Sequence, residues 1–307
     1  MSVNNTKPSR RQFLGTAGLV GAGAVLASCA PATAATPGKA NLDAAILNFA
    51  LNLEYLEAAF YLTAVGRLSE LDAAGGNSAM VTLNANAAAK AKDGKGTITD
   101  PTLLSIVNEI ATDEVNHVKV LRGALKSNAV AQPQLDLGGA FQAAGSAASG
   151  GAITGFDPYA NDLFFLHGAF IFEDVGVTAY KGAAILVTDD SKGGVLDTAA
   201  GILAVEAYHA GYVRTVLFQQ RATVAAAGLN VAQITSAISA LRGKVGGGKD
   251  QGIVSPEGNA AGAANLVPTD DNSVAFSRST SEVLAIVYLG GMGKGGFFPN
   301  GLNGAIK

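Results

Sequence analysis

From Asn41 onward, apolar residues recur with the period of an α-helix over unusually long stretches. Ile46, Leu47, Ala50, Leu53, Leu56 and Phe60 fall at spacings of one, three and four and predict a helix over about Asp43–Val65. A second helix is predicted from Asp100-Pro101, an N-cap residue followed by a proline suited to the first helical position, to about Ser127. A third follows Asp157-Pro158 to about Val187, and a fourth covers about Val195–Ala225. No segment between them alternates apolar and polar residues persistently enough to predict a sheet, so the expected fold is all-α.

The connections are unequal. Roughly thirty residues rich in Ala, Gly, Ser and Gln separate the second helix from the third, too many for a tight turn but suited to a long crossover in a four-helix bundle. The first connection is also long and contains the surface turn Asp93-Gly94-Lys95-Gly96. Beyond the fourth helix come a short helix near Ala232–Leu241, a Gly-rich break, another near Ser281–Leu289, and the tail from Lys294 to Gly301. The expected division is a bundle over residues 41–226 and a helical and loop appendage over 227–307.

The chain before Asn41 has a different character. Ser9-Arg10-Arg11-Gln12-Phe13-Leu14 leads into an uncharged Gly/Ala/Val/Leu stretch to Ala27, which resembles a twin-arginine export signal and is too short to span a bilayer. The stretch ends Leu26-Ala27-Ser28-Cys29, which resembles a lipobox, with Cys29 as the lipidated residue that would anchor the protein to a membrane. Cleavage after Ala32-Thr33-Ala34 is the alternative and would release a soluble protein. The expectation is thus a signal over 1–28, a flexible Pro/Ala/Thr/Gly tether over 29–40, and a periplasmic or cell-envelope location.

Composition narrows the chemistry. Of 307 residues 49% are hydrophobic and only 15% charged, which argues against a disordered chain. Loss of Lys7, Arg10 and Arg11 with the signal leaves 18 of the 21 basic residues against 24 acidic ones, a net charge of −6 that disfavours nucleic-acid binding. A single Cys excludes an intramolecular disulfide and a zinc site of several thiolates. A metal site would have to use His and carboxylates, and there are only three His.

Two of those His stand three residues after a glutamate: Glu114 and His117 in the second predicted helix, Glu206 and His209 in the fourth. That spacing puts carboxylate and imidazole on one helical face, about one turn apart. The first and third helices each carry a glutamate in an apolar setting, Glu54 and Glu173, followed seven residues later by Tyr61 and Tyr180. One Glu from each of two helices and Glu-x-x-His from each of the other two is the ligand set of di-iron and di-manganese carboxylate bundles. Four carboxylates offset two divalent charges, and two imidazoles add neutral ligands suited to Fe or Mn. The repeat of the pattern suggests two helical hairpins related by a pseudo-twofold axis.

Neighbouring residues leave choices open. Glu57 could replace Glu54 as ligand or sit behind it. Asp113, four before His117, is placed to accept the second ring N–H of that histidine. Val205 occupies the matching position beside Glu206, so His209 is expected to lack such support. His167 is expected to be a hydrogen-bonded core or interface residue, and Glu109 and Asp174 surface charges. The Gly-rich runs Gly291–Gly296 and Val245–Lys249 lack phosphate-binding spacing and read as turns.

The segments Asn48–Glu57 (NFALNLEYLE), Phe172–Tyr180 (FEDVGVTAY) and Gly295–Pro299 (GGFFP) resemble the ferritin-like superfamily, specifically exported ferritin-like proteins related to plant and bacterial desiccation-related proteins. The resemblance implies a ferritin-like four-helix bundle with a di-metal site. The function expected is that of an exported di-metal protein of oxidative or desiccation stress. It would act on O₂ or peroxide by ferrous oxidation or peroxide detoxification, with Tyr61 and Tyr180 as hydrogen-bonding or electron-transfer neighbours. The alternative is a metal-independent structural stress protein of the cell envelope. A tether and a long appendage disfavour a closed storage cage and favour a monomer or small oligomer.

Overall fold

The structure is a computed structural model that describes residues 41–255 and 262–307; the expected signal, Cys29 and the tether lie outside the described residues. Four long helices dominate it: α1 (Asp43–Ala64), α4 (Pro101–Leu125), α6 (Asp162–Ala184) and α7 (Val195–Gln219). Between α1 and α4 lie the short helices α2 (Glu70–Ala73) and α3 (Ala85–Lys92), and the crossover from α4 to α6 contains α5 (Gly139–Ala148). The appendage contributes α8 (Val231–Val245) and α9 (Thr280–Val287). Among the described residues, sheet is confined to two-stranded ladders: β1 (Val81–Thr82) parallel to β2 (Leu135–Asp136), and β3 (Val224–Ala226) antiparallel to β4 (Leu229–Asn230). The chain is all-α in class.

Local chemistry sets the helix ends. Asp100 caps α4 by accepting from the Leu103 amide at 2.7 Å, with Pro101 at the first position where a missing N–H costs nothing. The third long helix begins at Asp162 and not just after Pro158, because Asp157 accepts from the Tyr159 amide at 2.8 Å and makes a turn, leaving Asn161 as the cap. The fourth stops at Gln219, short of the expected Ala225, because Val224–Ala226 pairs with Leu229–Asn230 across a turn where Gly228 takes φ +77°.

Helix α1 packs most extensively on α4, and α6 on α7; the two hairpins then face each other. In α1 only Ala44, Ala45 and Ala50 escape burial. A helix buried on every side is a central core element, which a single apolar stripe does not convey. Helix α6 is apolar enough for a membrane span by length and hydropathy, yet 78% of its most apolar stretch is buried within this fold, as in a core helix of a soluble bundle.

The appendage belongs to the same compact unit as the bundle. Phe297 is fully buried, with ring centroids 4.8 Å from Phe172 and 5.0 Å from Phe141. Asn52 in α1 and Asn303 in the tail exchange hydrogen bonds at 2.9 and 3.0 Å. A buried ionic chain completes the join: Asp174 pairs with Arg214 at 2.8 Å and Arg242 at 2.9 Å, and Asp250 with Arg242 at 2.7 Å and Arg278 at 2.8 Å. Asp174 is therefore not the surface charge expected from sequence, because α8 and the following loop cover the outer face of α6 where it sits. Glu109 is exposed as expected.

Candidate metal centre

The four long helices bring six predicted residues to one buried place. Glu54 lies on α1, Glu114 and His117 on α4, Glu173 on α6, and Glu206 and His209 on α7; none is more than 7% exposed. Their donor atoms form two groups, each lying within 4.8 Å of one another: Glu54, Glu114, His117 and Glu206 in one, and Glu114, Glu173 and His209 in the other. Glu114 belongs to both. It stands where a carboxylate would bridge two ions.

His117 Nδ1 is 3.2 Å from Glu54, 3.3 Å from Glu206 and 3.6 Å from Glu114. His209 Nδ1 is 3.1 Å from Glu114 and 3.8 Å from Glu173. Despite this crowding, both Glu114 oxygens, both Glu206 oxygens, Glu173 Oε2 and His209 Nδ1 have no hydrogen-bond partner. Buried polar atoms without partners cost about 1–3 kcal/mol each, more when charged, so six converging on one spot need a ligand to share. All are donor atoms that divalent Fe or Mn accepts, so the residues fit the metal pair that the sequence pattern implies.

The tyrosines reach across from one hairpin to the other. Tyr61 of α1 donates its hydroxyl hydrogen to Glu173 of α6, and Tyr180 of α6 donates to Glu54 of α1. Each terminal carboxylate is thereby fixed by the opposite hairpin.

Asp113 faces a different histidine from the one expected. Its Oδ2 lies 3.3 Å from Nε2 of His209 on α7, because it projects across the interface between α4 and α7 and not along its own helix. A carboxylate can only accept, so Nε2 carries a hydrogen toward Asp113 and Nδ1 is the ring atom that faces the centre. The expected lack of support at His209 is thus reversed.

Glu57 is 4% exposed and lies outside both groups, while Glu54 is within one. An added Cβ at Gly176 on α6 would meet Glu57 Oε1 at 3.5 Å and Glu206 Oε2 at 2.9 Å, so the bare backbone at Gly176 is what lets both carboxyls pack against α6. His167 lies apart from the centre. Its Nδ1 donates to the Leu163 carbonyl at 2.7 Å, and burial lowers its pKa to about 4, so the ring is neutral.

Protons compete with cations for these donor atoms. Burial, together with repulsion from Glu114, raises the Glu173 carboxyl to about 8 despite the attraction of His209. Burial and neighbouring carboxylates push Glu57 and Glu206 well above the ordinary range. Burial would also raise Glu114, but the imidazoles of His117 and His209 close beside it outweigh burial and hold Glu114 at about 2. Burial lowers an imidazole, yet the surrounding carboxylates lift His209 to about 10 and His117 further. Cation binding must therefore displace protons.

A four-helix bundle with carboxylates and two Glu-x-x-His pairs turned inward defines a class, the ferritin-like carboxylate proteins. The ferritin-like domain family matches residues 42–219, from the start of α1 to the end of α7, and this chain belongs to it. It is 35% identical over 256 residues to the desiccation-related protein PCC13-62 of Craterostigma plantagineum, covering 79% of this chain and 76% of that one. It is 30% identical over 291 residues to the ferritin-like catalase Nec2 of Nesocodon mauritianus, covering 91% and 89%. No solved structure gives a significant match.

Proposed function

We propose that this chain is an exported di-metal protein, anchored through Cys29, that decomposes hydrogen peroxide during oxidative or desiccation stress. The observation that carries the proposal is the membership of Glu114 in both donor groups, with both its oxygens otherwise unpartnered. Glu54, His117 and Glu206 would hold one ion and Glu173 and His209 the other, with Glu114 a donor in both groups. When bound, such a pair supplies two reversible electrons: one peroxide takes them with two protons to give two waters, and a second peroxide returns them with two protons as it becomes O₂.

The chain's own residues supply placement and charge. The four carboxylates neutralise two divalent ions in a water-poor interior, where an unbalanced charge would cost several kcal/mol. Tyr61 and Tyr180 hold Glu173 and Glu54 by hydrogen bonds, and Asp113 holds the His209 ring. Burial and the neighbouring carboxylates hold the Glu57 carboxyl well above its ordinary range.

The names of the two relatives support peroxide chemistry and a desiccation setting. An oxygen electrode tests the proposal on metal-loaded protein. Peroxide should release one O₂ for every two molecules consumed. Consumption of O₂ on adding ferrous ion, with no release from peroxide, would favour ferrous oxidation instead and overturn the assignment.

A further inference from the structure

A small cavity lies where the bundle meets the appendage, on the side of the centre marked by Glu57. Its volume is about 20 Å³, room for one water-sized molecule. Leu53 of α1, Val175 of α6, Ile286 and Val287 of α9, and Phe297 of the tail wall it with apolar surface. Two further lining residues, Glu57 and Gly176, stand beside the Glu206 carboxyl. A glycine inside a helix costs about 0.5–1 kcal/mol relative to alanine, and here the missing side chain is what makes room for that carboxyl against α6.

We propose that this cavity is the access site for the small uncharged oxidant, with Ile286, Val287 and Phe297 of the appendage as the residues that select it. The inference rests on the di-metal reading and adds the ligand class: a neutral molecule of hydrogen peroxide or O₂ size. Apolar walls strip hydration from whatever enters. That cost is prohibitive for a ferrous ion or a superoxide anion and small for a neutral oxidant. The cavity holds one such molecule between Phe297 and Glu57, and the Glu206 carboxyl stands next beyond Glu57 against Gly176. The appendage, which lies beyond the segment matched by the ferritin-like family, thereby becomes part of the site.

The test has two arms. Crystals of the protein pressurised with krypton should show the gas between Glu57 and Phe297, and I286F should abolish that density; a cavity empty of krypton in the unmodified protein would overturn the proposal. In the second arm, nitric oxide, a neutral diatomic, is mixed with ferrous-loaded protein and its association followed by absorbance. I286F should slow association about tenfold, and I286A should speed it, at unchanged metal content. Equal rates in all three proteins overturn the access route while leaving the metal centre intact. Failure of the unmodified protein to hold iron sinks the di-metal reading instead, and the krypton arm still decides whether the cavity takes a small neutral molecule.

Discussion

Replacing Asp113 with Asn should weaken one metal position and spare the other. The carboxylate lies 3.3 Å from His209 Nε2, whereas His117 faces Glu54, Glu206 and Glu114. Loss of a carboxylate that orients a metal-binding imidazole costs about 10–100-fold in affinity. Two features place this case at the lower end. The separation slightly exceeds the usual N–H···O range, and the Asp113 side chain is 35% exposed, so water screens it. The expected loss is about tenfold, or ~1.4 kcal/mol, confined to the ion held by His209 and Glu173. Calorimetric titration of metal-free protein with manganous ion should resolve two binding steps, one weakened about tenfold and one within about twofold of its original value. Equal weakening of both steps, or of neither, would refute the assignment of Asp113 to a single histidine.

Other substitutions probe the remaining contacts. G176A puts a Cβ 2.9 Å from Glu206 Oε2, so metal affinity should fall in the same titration even though Ala favours the helix by about 0.5–1 kcal/mol. D174A strands Arg214 and part of the Arg242 charge in the interior, and thermal or urea unfolding should show a loss of about 3–5 kcal/mol. The metal-free protein should melt lower as pH rises. Glu173 titrates near 8 when folded against 4.5 unfolded, and His209 near 10 against 6.5, so in both cases the native state binds the extra proton and stability drains away through those windows. Metal should bind more tightly over the same rise in pH, because fewer protons remain to be displaced. Calorimetric melts across that range, with and without metal, check both signs.

The long helices and the inward faces of α4 and α7 were legible because the spacing of three between Glu114 and His117, and between Glu206 and His209, is a property of one helix. Contacts between helices were not. Asp113 is one turn from His117 along α4, but the packing of α4 against α7 turns it toward His209, and nothing in a single helix encodes that register. Asp174 read as a surface charge because Glu173 already claimed the inner face of α6; its partners Arg214 and Arg242 lie 40 and 68 residues away. Helix α5, rich in Ala, Gly and Ser, was hidden within the crossover by its weak pattern. The cavity behind Glu57 is assembled from α1, α6, α9 and the tail, so no local pattern announces it.

The central claim is that six buried side chains hold two ions. Metal analysis of the purified protein after anaerobic reconstitution with ferrous or manganous ion tests it most directly. About two ions per chain are expected, falling below one when Glu114 and Glu206 are both replaced by Ala. Less than one ion in the unmodified protein, or an unchanged content in the double variant, would contradict it.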